Sequence, residues 1–164
     1  VMQQPSAATE ELYSLLVPLH EQRLIVPRVC VAEVVRYSPG EVGAAGSGWL
    51  RGSLKWNDRR IPLISFEELA GLPVADIGGR TRVAIFNSLT GQLPEQAFAL
   101  LTEGFPQLVR VHRDVMEPDT RHAWPEEGPV ICQIRMINEY PLIPDLERIE
   151  SIIAAELAAG DVPA

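Results

Sequence analysis

Three histidines, His20, His112 and His122, and two cysteines, Cys30 and Cys132, are the side chains best suited to acid–base, nucleophilic or metal chemistry. Their spacing supports none of it locally. The histidines lack the short intervals of a zinc site, and neither cysteine belongs to a C-x-x-C pair. No G-x-S-x-G elbow presents a serine nucleophile. A His/Cys or His/Asp pair assembled only by folding stays open as an enzymatic alternative. The adjacent acids Glu67-Glu68 and Glu126-Glu127 read as solvated surface. Both cysteines sit among apolar residues, Val29 and Val31 for one, Ile131 and Ile134 for the other, so buried reduced thiols are expected. The run Gly43-Ala44-Ala45-Gly46-Ser47 is followed by Gly48, Trp49 and Leu50, without the lysine and hydroxyl residue of a phosphate loop. A flexible surface loop from Ser38 to Ser47 is expected instead. No cofactor or metal is expected.

The chemistry that remains is recognition, and it concentrates between Gly48 and Leu69. Two apolar-rich runs flank Asn57-Asp58, a pair that tolerates the left-handed backbone of a tight hairpin turn. With those residues as the turn, Trp56 pairs with Arg59, Lys55 with Arg60, Leu54 with Ile61, and Gly52 with Leu63. Side chains alternate across a strand, so Leu54, Trp56, Ile61 and Leu63 share a core face. Arg51, Ser53, Lys55 and Arg60 share the other face, with Pro62 and Ile64. Arg59 is the basic side chain of the core face and lies beside the turn, where it reaches water. Pro62 lacks an amide hydrogen, which points to an edge position or a bulge. Gly52 either permits a close backbone approach or marks a bulge. Such a hairpin is either a docking edge or a surface edge guarded by charge.

The run Leu50-Arg51-Gly52, followed by Ile61-Pro62-Leu63-Ile64 and then Phe66 and Leu69, resembles the signature of the CheW family of chemotaxis coupling proteins. Two residues depart from it. Trp49 stands where the family usually has asparagine, and Ser65 where it usually has aspartate, so the chain is similar to a divergent member. The resemblance spans roughly residues 12–157, and residues 48–69 and 142–150 carry its specific motifs. It implies a mainly β fold of two packed, five-stranded SH3-like barrels, with a short helix after the second strand and a C-terminal helix. Residues 10–160 then form a single domain of two intertwined barrels, preceded by a flexible N-terminus, 1–9.

Length and composition agree with that size and class. The 164 residues suit one domain, and 46% hydrophobic with 22% charged residues is the balance of a globular protein. A formal net charge of −8 argues against general nucleic-acid binding, which needs a basic footprint. Fourteen prolines and 12 glycines favour many short strands over a helical bundle. No apolar run approaches the roughly 20 residues needed to span a bilayer. Residues 1–9 lack the regions of a signal peptide, so direct membrane insertion is not expected and a cytoplasmic location is.

Along the chain, Leu12–Leu19 and Arg23–Val26 read as a hairpin closed by His20-Glu21-Gln22. Val31, Val34 and Val35 recur at helical intervals, although valine favours strands. Taken with the short helix of CheW-like proteins, the spacing predicts a helical turn here. Residues 70–79 read as a loop and Arg82–Asn87 as a strand, Thr81-Arg82 also resembling the family. Residues 97–101 suit a helix or a buried strand. The resemblance implies strands and a hairpin from Ala97 to Val111, turning near Glu103-Gly104. His112–Gly128 is a long polar loop with irregular strand pieces, in which Trp124 packs as a lid on the core or stands as an exposed anchor for a partner. Val130–Asn138 is a strand with Cys132, Ile134 and Met136 facing the core. A closing helix starts at the N-cap Asp145, buries Leu146, Ile149, Ile152, Ile153 and Leu157, and ends at Gly160. Asp145, Glu147 and Glu150 suit the helix dipole in its first turns.

The resemblance implies a non-catalytic adaptor joining the cytoplasmic tip of a methyl-accepting chemoreceptor to the regulatory domain of a CheA-like histidine kinase, at membrane-associated arrays. The run from Leu142 to Glu150 is similar to CheW-like proteins of type IV pilus systems, which implies control of twitching motility. The binding residues expected are Arg51, Leu50, Gly52, Lys55, Arg60 and Pro62, with Arg51 foremost, because a guanidinium fork suits a carboxylate or a carbonyl. Arg51 is equally readable as an internal brace of the neighbouring loop or barrel. Two alternatives remain: a CheW-like accessory module that has lost one partner, and an enzyme on a two-barrel β fold.

Overall fold

Asn57 and Asp58 both take left-handed backbone, φ 49° and 61°, and close a tight hairpin between strands β4 (Leu50–Trp56) and β5 (Arg59–Ile64). The pairing matches the sequence reading: Trp56 with Arg59, Lys55 with Arg60, Leu54 with Ile61 and Gly52 with Leu63. The computed structural model describes residues 11–39, 42–43, 48–112, 114, 116–136 and 138–160. The N-terminus 1–9 and most of the small-residue loop 43–47 lie outside the described residues.

The other strands are β1 (Glu11–Pro18), β2 (Arg23–Pro27), β3 (Val31–Arg36), β6 (Arg82–Asn87), β7 (Ala97–Thr102), β8 (Gln107–His112), β9 (Glu117–Asp119), β10 (Val130–Arg135) and β11 (Leu142–Pro144). They form two sheets, ordered β8-β1-β2-β11-β10-β9 and β3-β6-β7-β5-β4. Two α-helices complete the mainly β fold, α1 (Phe66–Ala70) and α2 (Leu146–Gly160).

Both sheets bury both faces. Leu54, Ile61, Leu63, Val83, Ile85, Ala97, Ala99 and Leu101 form the core of the five-stranded sheet. Leu16, Ile25, Val111 and Ile134 form that of the six-stranded sheet, with Cys132 and Met136 packed against them as expected. A third core lies between the sheets. There Val17, Leu24 and Val26 meet Ala84, Phe86, Phe98 and Leu100, and Leu146, Ile149 and Ile153 of α2 close over them. Alternate residues of β7 thus enter different cores, and all six are buried. A strand covered on both sides reads as a continuous apolar run, so periodicity alone could not separate it from a helix.

Four expectations are corrected here. The short helix is a 3-10 turn at Arg28–Cys30, and Val31–Arg36 is a strand, so β-branched propensity prevails over helical spacing. β7 and β8 are strands, but they form no hairpin: β7 pairs with β6 and β5, whereas β8 pairs with β1. The chain crosses between sheets after Thr102, where Glu103 N donates to Pro18 O at 2.9 Å. Pro62 lies on an interior strand, because β5 runs between β4 and β7. Its missing donor is tolerated because the parallel pairing to β7 involves Leu63 and Ile64 only. Ile64 and Pro62, placed with the charged face, are buried, Ile64 in the core between the sheets.

Candidate partner-binding site

β4 is an edge strand with a kink built into it. Leu50 pairs with Ile64 and Gly52 with Leu63, which leaves Arg51 as the extra residue of a β-bulge. Gly52 has φ 134°, a backbone that favours glycine, which agrees with the reading of this residue as part of a bulge. The bulge separates Arg51 from its neighbours. Leu50, Gly52, Arg60 and Pro62 line an open groove together with Ser53, Pro94, Glu95 and Leu157. Arg51 lines a separate hollow with Ser65, Glu67, Asp76 and Glu103. Lys55, also expected at the site, is exposed and lines neither.

Two cations of this face, Arg51 and Arg60, are held internally. Arg51 Nε donates to Gly48 O at 2.9 Å and its Nη2 to Glu68 Oε1 at 2.7 Å. This is the brace geometry, spanning the loop before β4 and the helix after β5. Arg60 Nε donates to Ser53 Oγ at 3.0 Å, and Gly43 N donates to Ser53 O at 2.7 Å. A Cβ on Gly43 would stand 2.6 Å from Arg60 Nη2 and from Ser53 Oγ, so a larger residue here would have to displace those side chains where Val42 and Gly43 lie along the edge of β4. Arg59 stacks on Trp56, 4.8 Å from the ring centroid, and its Nη1 donates to Glu95 O at 2.9 Å.

The two departures from the motif have internal uses. Ser65 caps α1, its Oγ accepting from Glu68 N at 3.2 Å, a task that aspartate performs equally well. Trp49 packs on the core between the sheets, and its carbonyl accepts from Ser65 N at 2.8 Å. Ser65-Phe66-Glu67-Glu68 follows the capping pattern S-x-x-E, a local signal for α1 that the reading of the sequence did not use. Trp124 also packs against the central core, as a lid.

Two acids were misread as surface or dipole partners. Glu67 is buried, and its Oε2 accepts from His20 N at 3.1 Å. Glu150 is fully buried on α2 and accepts from Ser88 Oγ at 2.6 Å, Leu89 N at 2.6 Å, Thr90 Oγ1 at 2.7 Å and Thr90 N at 3.2 Å. Burial pushes its carboxyl upward, but the donors of Leu89, Ser88 and Thr90 outweigh it and hold the group below its ordinary value. Nothing near Glu150 in sequence signals this, because its partners lie about sixty residues away.

His20 faces Glu21, His112 faces Asp114, and His122 lies 6.1 Å from the Trp124 ring. Burial pushes the thiols of Cys30 and Cys132 upward, away from the thiolate that a nucleophile needs. Among the described residues no cluster of three His, Cys, Asp or Glu side chains could hold a metal ion. No helix among them is long and apolar enough to cross a membrane.

A family model described as the CheW-like domain matches residues 14–151. The chain belongs to the CheW-like family. Its fold is also similar to the crystal structure of the scaffolding protein TtCheW from Thermoanaerobacter tengcongensis, with a TM-score of 0.66. Sequence identity is 16%, over 82% of this chain and 89% of that one, which establishes a shared two-barrel fold. No curated protein sequence matches the chain. Membership in the CheW-like family, a family of non-catalytic scaffolds, supports a chemotaxis coupling adaptor in general terms.

Proposed function

We propose that this protein is a non-catalytic adaptor that couples chemoreceptors to a CheA-like histidine kinase in the cytoplasm, in a pathway controlling type IV pilus twitching motility. The carrying observation is the convergence of Leu50, Gly52, Arg60 and Pro62 on one groove beside the bulged edge of β4. Apolar walls supply contact area, and Arg60 and Glu95 supply charges of both signs at the rim. The kinase regulatory domain docks on this face, and the receptor tip docks at the junction of the two sheets. The pilus assignment rests on the similarity of the run from Leu142 to Glu150 alone.

The accessory-module reading drew on Trp49 and Ser65, and both residues are occupied inside the fold. Retention experiments separate the two readings. The immobilised chain is offered a CheA-like regulatory domain and a receptor cytoplasmic tip from the same organism. Retention of both supports the adaptor, retention of one supports the accessory module, and retention of neither overturns both.

A further inference from the structure

The groove is assembled from three elements distant in sequence. The β4–β5 hairpin supplies Leu50, Arg60 and Pro62, the loop between β6 and β7 supplies Pro94 and Glu95, and α2 supplies Leu157. Hairpin and loop are joined at the groove by Arg59, whose Nη1 donates to Glu95 O at 2.9 Å. Loop and helix are joined at Glu150. Its Oε1 accepts from Ser88 Oγ, Thr90 Oγ1 and Thr90 N, and its Oε2 accepts from Leu89 N, all between 2.6 and 3.2 Å. Leu157 follows Glu150 by two helical turns and therefore lies on the same side of α2. Between its two tethers the loop is held at both ends and in its middle: Ser88 N donates to Gln96 O at 2.9 Å, and Leu93 is buried in the core between the sheets. A displacement of Ser88–Thr90 relative to α2 is thereby carried to Pro94 and Glu95.

We infer that Glu150 is a positioning residue for the docking groove, setting the spacing between the wall carried by the β6–β7 loop and the wall carried by α2. This rests on the reading of the groove as a docking site. A fully buried carboxylate is costly unless its lone pairs are filled, and here both oxygens are filled by one loop. An apolar side chain at this position would hold the helix against the core equally well, but it would not fix the loop in one geometry. Gln92 and Ser151 bridge the same two elements at the surface, Gln92 Nε2 donating to Ser151 Oγ at 3.1 Å and to Thr90 Oγ1 at 3.0 Å, so a cross-link between these two positions would tie the same loop to α2 without Glu150.

The test uses the full chain with Glu150→Gln and the milder Thr90→Val, alone and combined with a disulfide clamp formed by Gln92→Cys and Ser151→Cys. One readout needs no partner: the NMR resonances of Glu95 and Leu157, compared with those of Leu24 in the other sheet. The second readout is affinity for a CheA-like regulatory domain. Glu150→Gln is expected to shift Glu95 and Leu157, leave Leu24 in place, and weaken binding by roughly five- to tenfold. Thr90→Val shifts the same residues less, and the clamp restores both readouts. Unchanged Glu95 and Leu157 resonances in folded Glu150→Gln overturn the inference. So does a loss of affinity that the clamp cannot restore. Absence of binding by every variant, the parent included, sinks the docking reading, while the NMR readout still decides whether Glu150 sets the groove.

Discussion

Arg51 Nη2 lies 2.7 Å from Glu68 Oε1, so the arginine of the motif is tied to the helix that follows its own hairpin. The same guanidinium reaches back to Gly48 O through Nε. The β-bulge makes this reach possible by placing Arg51 outside the regular alternation of β4. A substitution here is expected to disturb the entry to β4 and the docking of α1 together. With side chains 28% and 39% exposed, the pair is worth little as Coulomb energy. A double-mutant cycle with Arg51→Ala and Glu68→Ala, read by urea unfolding, should give a coupling of about 0.5–1 kcal/mol. Arg51→Lys should behave as Arg51→Ala, because one ammonium cannot serve both partners with the geometry of the fork.

The cap of α1 gives a cleaner number. Ser65→Ala removes the acceptor of Glu68 N and should cost about 1 kcal/mol in urea unfolding. Ser65→Asp installs the residue that the family usually carries and should stay within roughly 0.5 kcal/mol of the parent, since both are strong caps. Equal losses for the two variants would mean that the hydroxyl does more than cap the helix.

Phe98 stacks on Phe86 with ring centroids 5.3 Å apart, in the core that joins the two sheets. Phe98→Ala should destabilise the protein by about 3–5 kcal/mol. Because this core is shared, unfolding should remain a single transition by tryptophan fluorescence and by circular dichroism. Two separate transitions would show that the barrels fold independently.

Glu150 predicts a pH dependence. Its folded carboxyl is held below the ordinary value of 4.5, so the unfolded chain binds its proton more readily than the folded one. The stability contributed is present in full above the unfolded value and is lost as pH falls through the folded one. Urea midpoints should therefore decline below about pH 4.5, the region in which an unfolded glutamate protonates. Glu150→Gln should be less stable at pH 7 and show a shallower acid decline. An identical decline in both proteins would assign the acid sensitivity to other carboxylates.

Local chemistry made parts of this molecule legible in its sequence. Asn57-Asp58 and the alternation on either side fixed the β4–β5 register, because the turn and both strands lie within fifteen residues. The spacing of Leu146, Ile149, Ile153 and Leu157 likewise marked α2 and its buried stripe, whereas Ile152, expected in the same stripe, is only half-buried and lies outside the core between the sheets. What failed was non-local. β7 and β8 are adjacent in sequence but belong to different sheets, and only the pairing of β8 with β1 reveals it. Pro62 looked like an edge residue because its missing donor is visible in sequence, while the end of the β5–β7 pairing is not. At the site, Leu50, Gly52, Arg60 and Pro62 were readable as a group, but Pro94, Glu95 and Leu157 join them only through tertiary folding. Glu150 was read as a helix-dipole acid because its four donors come from another element.

The most direct test of the adaptor reading is a calorimetric titration of the purified chain with the regulatory domain of a CheA-like kinase from the same organism. Arg51→Glu, checked for native-like circular dichroism, and the exposed control Glu126→Gln are titrated beside it. Saturable binding in the micromolar range usual for transient signalling contacts, weakened by Arg51→Glu and unchanged by the control, is the predicted result. Absence of binding well above that range would contradict the account.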